Sequence, residues 1–143
     1  MLSRWEVVMS SRSSFVRWLF DERWSQGQTE TLANLLGPLT FHYAGAARQI
    51  NGEQLAAIID RWREGFPDLQ FSVEDLVEQD DLVAVRARLQ GTHVGPWRDL
   101  PGSGRRVDID VAMFFRWEED QIVEIWEVDD AARRTEQLKG ASQ

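Results

Sequence analysis

One carboxylate in this chain stands where a carboxylate is costly. The segment Gln121–Asp129, QIVEIWEVD, alternates like a strand and puts Glu127 on the same face as Val123 and Ile125. The segment before it, VDIDVAMFFRW, alternates too, and the tetrad Glu118, Glu119, Asp120, Gln121 joins the two as a hairpin. If the shared face lines a cavity, loss of water raises the pKa of Glu127 and makes it a proton-transfer group near neutrality. If that face is wet, Glu127 is one surface acid among many. The two readings predict opposite environments for one side chain.

The remaining composition narrows the chemistry. There is no Cys, so disulfides, thiolate metal sites and a cysteine nucleophile are excluded. The two histidines, His42 and His93, lie far apart with no HxxxH spacing, so neither a metal nor any other cofactor is expected. A formal net charge of −8 disfavours nucleic acid, which needs clustered Lys and Arg to release counterions from phosphates. The apolar runs are too short or too charged to span a bilayer, so no membrane role is expected either. The first residues, MLSRWEVVMSSR, lack the continuous apolar stretch of a secretion signal, and a cytoplasmic address is the default.

At 143 residues and 43% hydrophobic, with no repeats and no long Pro or Gly-rich linker, residues 1–143 read as one domain. Its helices come first. Ser13 or Ser14 is placed to cap a helix carrying Phe15, Trp18 and Leu19, and a second short helix is predicted from about Thr29 to Leu36, before Gly37 and Pro38. The third helix has the plainest pattern: Asn51 as cap, then Leu55, Ile58, Ile59, Trp62 and Phe66 on one stripe, closed by Gly65 and Pro67. From Leu69 the period becomes alternating, through Leu69, Phe71, Val73, then Val83, Val85, Ala87, Leu89, then the hairpin. This predicts an antiparallel sheet and an α+β domain with helices on one of its faces. Residues 131–139 have helix-forming composition.

The segments FPDLQFSVEDLVEQDDLVAVRARLQGTHVG, GRRVDID, FFRW and IVEIWEVDD resemble the SnoaL-like polyketide cyclase branch of the nuclear transport factor 2-like superfamily, from about residue 15 to residue 138. The resemblance implies a cone-shaped α+β barrel of the ketosteroid isomerase type, its curved sheet wrapped around N-terminal helices over a deep pocket. In the cyclases an Asp of the last strand is the acid/base for aldol closure, and Glu127 holds the matching position one methylene longer. Limonene epoxide hydrolases also place an acid there, with an Arg and a second acid close by. The neighbouring strand here offers Arg86, Arg88 and Gln90, so Arg86 or Arg88 is a candidate partner for Glu127.

Two imidazoles of the relatives are missing, with Met113 on the penultimate strand and Ile125 where many read EHWD. Enolate stabilisation then falls to His42 from the opposite wall, with Tyr43 or a Trp indole as other candidates. The expected pocket lining is Trp18, Tyr43, Trp62, Arg86, Arg88, Trp97, Met113, Phe115 and Ile125, with Trp97 at the rim and His93 fixing a loop. Phe114 and Trp126 point to the other face, whose apolar character favours a homodimer packed sheet to sheet, or else cover by Trp5, Val7, Val8 and Met9. Three functions fit: a cofactor-free cyclase or isomerase acting beside a carbonyl, a binding module for a small hydrophobic molecule, or a protein-interaction domain.

Overall fold

The computed structural model describes residues 10–28 and 32–140, together with residues 1, 3 and 6. Helix α1 (Arg12–Trp18) starts at Ser11 rather than Ser13 or Ser14: the Ser14 amide donates to Ser11 Oγ at 3.0 Å, while Ser13 is engaged with Glu78. It runs on into a wide π turn (Leu19–Trp24), in which Leu19, Phe20 and Trp24 are all buried. Of the second predicted helix only α2 (Leu32–Leu35) is seen, since residues 29–31 lie outside the described residues. Helix α3 (Gly52–Gly65) begins with the capping box expected at Asn51. The Gln54 amide donates to Asn51 Oδ1 at 2.8 Å and the Asn51 amide to Gln54 Oε1 at 2.9 Å.

Six strands follow the order β2-β1-β6-β5-β4-β3: β1 (Leu39–Tyr43), β2 (Ala46–Ile50), β3 (Gln70–Gln79), β4 (Leu82–Thr92), β5 (Arg106–Glu118) and β6 (Gln121–Asp129). The sheet is curved and not closed. It is mixed rather than wholly antiparallel, because β1 runs parallel to β6 and sets Phe41 beside Ile125 and Tyr43 beside Glu127. Strand β2 follows β1 through Ala44 and Gly45, both at positive φ, as a two-residue hairpin turn requires.

Burial alternates strictly along β5, where Val107, Ile109, Val111, Met113, Phe115 and Trp117 face the core. Strand β6 departs from strict alternation. Its register shifts opposite Arg116 and Trp117, leaving Val123 without a register partner, and Ile122 and Ile125 are the buried pair. Val123 is only half-buried, so of the two apolar neighbours that simple alternation gives Glu127, Ile125 is in the core and Val123 is not.

The last helix, α4 (Ala131–Lys139), is capped by Asp130 and docked on β5 by Gln137, whose amide both accepts from Asp108 N and donates to Asp108 O. The β4–β5 connection is fixed onto the end of α3, with the amides of Val94 and Gly95 donating to Gly65 O. A Cβ at Gly95 would stand 2.2 Å from Glu64 O, so only glycine permits that approach. Among the described residues, no helix is long and apolar enough to cross a membrane.

Candidate functional site

Glu127 lies at the boundary between two spaces. Inward is a narrow cleft of about 20 Å3 lined by Trp24, Phe41, Leu55, Ile58, Ile59, Trp62, Phe71, Leu89, Val111, Met113 and Glu127 itself. Outward is a mouth of about 350 Å3 bounded by Phe41, Tyr43, Ala46, Arg48, Ile58, Arg61, Trp62, Trp97, Arg98 and Glu127. The bulky side chains of the cleft leave room for little more than a water, so the usable volume is at the mouth. Trp62 and Trp97, with ring centroids 4.0 Å apart, form an aromatic wall beside it.

The Glu127 carboxyl makes no hydrogen bond with a described residue. Burial pushes its pKa up from 4.5 to about 7, and the charge of Asp129 adds to the rise, against smaller opposing effects of Arg134 and Arg98. Asp129, two residues on and on the same face, is itself committed. It pairs with Arg134 at 2.5 Å, both side chains only 3% exposed, and accepts a hydrogen bond from the Tyr43 hydroxyl at 3.0 Å. Burial works against the Arg134 charge, yet Tyr43 and Asp129 more than offset it, so its pKa is raised. The Arg134 guanidinium also lies over the Trp62 ring, 5.4 Å from its centroid. Tyr43, Asp129 and Arg134 thus form a closed ionic knot beside Glu127 and leave Glu127 as the unengaged carboxylate of the pocket.

A hydrogen-bond donor is also left over. Trp24 is 1% exposed, lines the inner cleft, and its Nε1–H has no partner among the described residues. Its place is held by Arg63, whose guanidinium donates to Trp24 O, Ser25 O and Leu69 O at 2.9 to 3.2 Å, and by rings of Phe20, Phe71 and Phe115. Among the described residues, no group of three or more His, Asp or Glu could hold a metal ion.

The family model for SnoaL-like polyketide cyclases matches residues 15–138. The chain belongs to the SnoaL-like polyketide cyclase family. Among solved structures, a candidate SnoaL-like polyketide cyclase of Jannaschia sp. CCS1 is 30% identical, with 89% of this chain and 90% of that one covered at a TM-score of 0.76. IdmH of Streptomyces antibioticus, a candidate polyketide cyclase, is 27% identical over 91% of this chain and all of its own, at a TM-score of 0.74. AclR of Streptomyces galilaeus, a candidate hydroxylase, reaches a TM-score of 0.80 over 94% of this chain and 85% of its own, but at 19% identity shows only the shared fold. No curated protein matches the chain in sequence.

Against the site expected for a SnoaL-like cyclase, the structure keeps Glu127, Tyr43, Trp62, Trp97 and Met113 at the pocket and moves the others away. His42 points to the outer face, because Phe41 and Tyr43 take the inward positions of β1. There it stacks on Trp126 at 4.7 Å, its Nε2 lying 2.9 Å from Glu124. Arg86 and Arg88 are outer-face residues too, on exposed positions of β4, paired with Asp75 at 2.8 Å and Asp108 at 2.6 Å; they cannot hold the pKa of Glu127 down. Trp18, Phe115 and Ile125 are buried core and line neither the cleft nor the mouth. His93 is a loop anchor: fully buried on Phe66, its Nδ1 is 2.9 Å from Ser103 Oγ. The sequence reading missed Trp24, Arg98, Asp129 and Arg134. Asp129 had a visible signal, since it follows Glu127 at the same-face spacing of a strand.

Proposed function

We propose that this SnoaL-like protein is a cofactor-free enzyme that moves a proton next to a carbonyl of a small, largely apolar substrate, with Glu127 as the proton-transfer group. One observation carries the reading: a carboxyl with no hydrogen-bond partner among the described residues, its pKa pushed up to about 7, at the junction of an apolar cleft and an open mouth. A carboxylate of that basicity matches the task, because a general base works best when its pKa lies near the working pH. It would take a proton from the carbon beside the carbonyl, and the electron pair would move onto the carbonyl oxygen as an enolate. The indole N–H of Trp24, unpartnered among the described residues on a side chain that lines the inner cleft, is the donor assigned to that oxygen in this reading, in place of the imidazoles absent at Met113 and Ile125. The enolate carbon then either attacks a second carbonyl of the same molecule, closing a ring while the proton on Glu127 passes to the alkoxide so formed, or, where the enolate is conjugated with a double bond, Glu127 returns the proton to the far carbon of that system.

The test is turnover by Glu127→Gln on a panel of small 1,3-dicarbonyl and β,γ-unsaturated ketone substrates. The variant should lose at least a hundredfold in kcat, and wild-type kcat/KM should rise through an apparent pKa near 7. Unchanged turnover in Glu127→Gln would remove Glu127 from the reaction. A second reading, ligand binding without chemistry, is favoured by the 20 Å3 cleft, which admits no substrate body as it stands. Retained binding with no turnover on any of the panel would select it.

The same reading includes a homodimer through the outer sheet face. Register sets Val77, Ala84, Phe114, Trp126 and His42 in one row across five strands, with Val77 at 61% and Phe114 at 37% exposure.

A further inference from the structure

The mouth above Glu127 has a composition that the proton-transfer reading does not use. Three arginines border it, Arg48 from β2, Arg61 from α3 and Arg98 from the β4–β5 connection. In a chain of net charge −8 this is a local reversal of sign. Most described arginines elsewhere are occupied: Arg86, Arg88, Arg106, Arg116 and Arg134 hold carboxylates, and Arg12 and Arg63 hold backbone carbonyls, while Arg17, Arg105 and Arg133 hold none but do not border the mouth. Arg48, Arg61 and Arg98 make no ion pair and no hydrogen bond with a described residue. Glu127 is the lone acid bordering the mouth, and of the three rim arginines only Arg98 acts on its charge. Two cations, Arg48 and Arg61, therefore border a cavity with no ion pair to neutralise them among the described residues.

The third is set there by backbone geometry. Arg98 has φ of 52°, in the left-handed region that a side chain with a Cβ seldom adopts, inside a tight turn closed by mutual backbone hydrogen bonds between Trp97 and Leu100. The same turn lays the Arg98 guanidinium over Trp97, 5.3 Å from the ring centroid, on the aromatic wall of the mouth.

We infer that the mouth is an anion site, and that the molecule this pocket takes is an apolar acid: an anionic oxygen group such as a carboxylate, held by Arg48, Arg61 and Arg98, on a body that lies against Trp62 and Trp97 with its reactive end at Glu127. The inference deepens the proposed function and rests on its pocket, but not on its chemistry. Guanidinium groups suit this role because they offer paired donors to an oxyanion and stack on aromatic faces.

The experiment uses a matched pair of fluorescent probes, 8-anilino-1-naphthalenesulfonate and N-phenyl-1-naphthylamine, which share a skeleton and differ by the anionic sulfonate. Each is titrated at low ionic strength into the wild type, into Arg48→Gln/Arg61→Gln, and into Arg17→Gln/Lys139→Gln, which removes the same charge at two positions that do not border the mouth. The sulfonate should bind the wild type at least tenfold more tightly than the neutral probe. The rim variant should weaken the sulfonate about tenfold, from two exposed charge contacts of about threefold each, and leave the neutral probe unchanged. An equal loss for both probes, or an equal loss in the control variant, would overturn the anion site while leaving the apolar pocket standing. Failure of both probes to bind the wild type would remove the pocket and the anion site together.

Discussion

Replacing Glu127 with Gln should stabilise the protein above neutral pH and leave its stability almost unchanged near pH 4. The folded carboxyl titrates at about 7, against 4.5 without the fold, so the folded state holds a proton that the unfolded state releases between those values. Stability contributed by this group is therefore complete below pH 4.5, falls as pH rises to about 7, and stays reduced above it. At about 1.36 kcal/mol per pH unit the full loss is about 3 kcal/mol, an upper figure for a group that keeps some contact with the mouth. For a domain of this size that corresponds to about 10 °C in Tm. Gln keeps the size and shape of the side chain and never ionises, so it escapes the loss. Urea melts of both proteins between pH 4 and pH 8.5 give the difference directly, because every other titrating group is shared. The difference should grow through the window and level off above pH 7. A difference that is constant across the range, or a variant less stable than the wild type at pH 8, would refute a desolvated Glu127.

Three further outcomes are expected. Arg134→Met leaves Asp129 buried without its counter-ion and should cost about 3–5 kcal/mol in urea melts at pH 7, with part of the loss recovered when Asp129→Asn is added. Trp24→Phe removes the unpartnered Nε1–H while keeping an aromatic ring among Phe20, Phe71 and Phe115; kcat should drop about tenfold to a hundredfold with a much smaller relative change in ligand binding. Phe114→Glu puts a charge at the centre of the outer apolar row, and sedimentation should show a dimer for the wild type and a monomer for the variant.

The parts legible in the sequence were those written by local pattern. The α3 stripe and its Asn51 cap, the alternation of β4 and β5 and the position of Glu127 all follow from residue spacing, because each element has one face in the core. Strand β2, AARQI, escaped because four of its five residues are exposed and nothing apolar alternates. The facing of His42 escaped for a different reason. TFHY fits either face, and the choice is made by β1 running parallel to β6, a pairing between segments more than eighty residues apart. Arg86 and Arg88 illustrate the same limit: alternation shows that they share a face, and only the burial of Val85, Ala87 and Leu89 between and beside them fixes which one.

The pairing of β1 with β6 also explains why Asp129, and not Glu127, is tied up in hydrogen bonds. Burying two carboxylates two residues apart on one strand is unfavourable unless one is neutralised, and β6 does so with Glu127 and Asp129. The parallel register brings Tyr43 to the level of Glu127, within reach of Asp129, and the Asp130 cap starts α4 so that Arg134 falls against Asp129. Asp129 is thereby partnered on two sides, and its negative field falls on Glu127, which makes no hydrogen bond with a described residue and feels only smaller opposing effects of Arg134 and Arg98. One carboxylate is thus tied into an ion pair and a hydrogen bond, and the other has its pKa raised to about 7. The difference lies in the two hydrogen bonds that Asp129 accepts and Glu127 does not, from Tyr43 on β1 and Arg134 on α4, segments far apart in sequence.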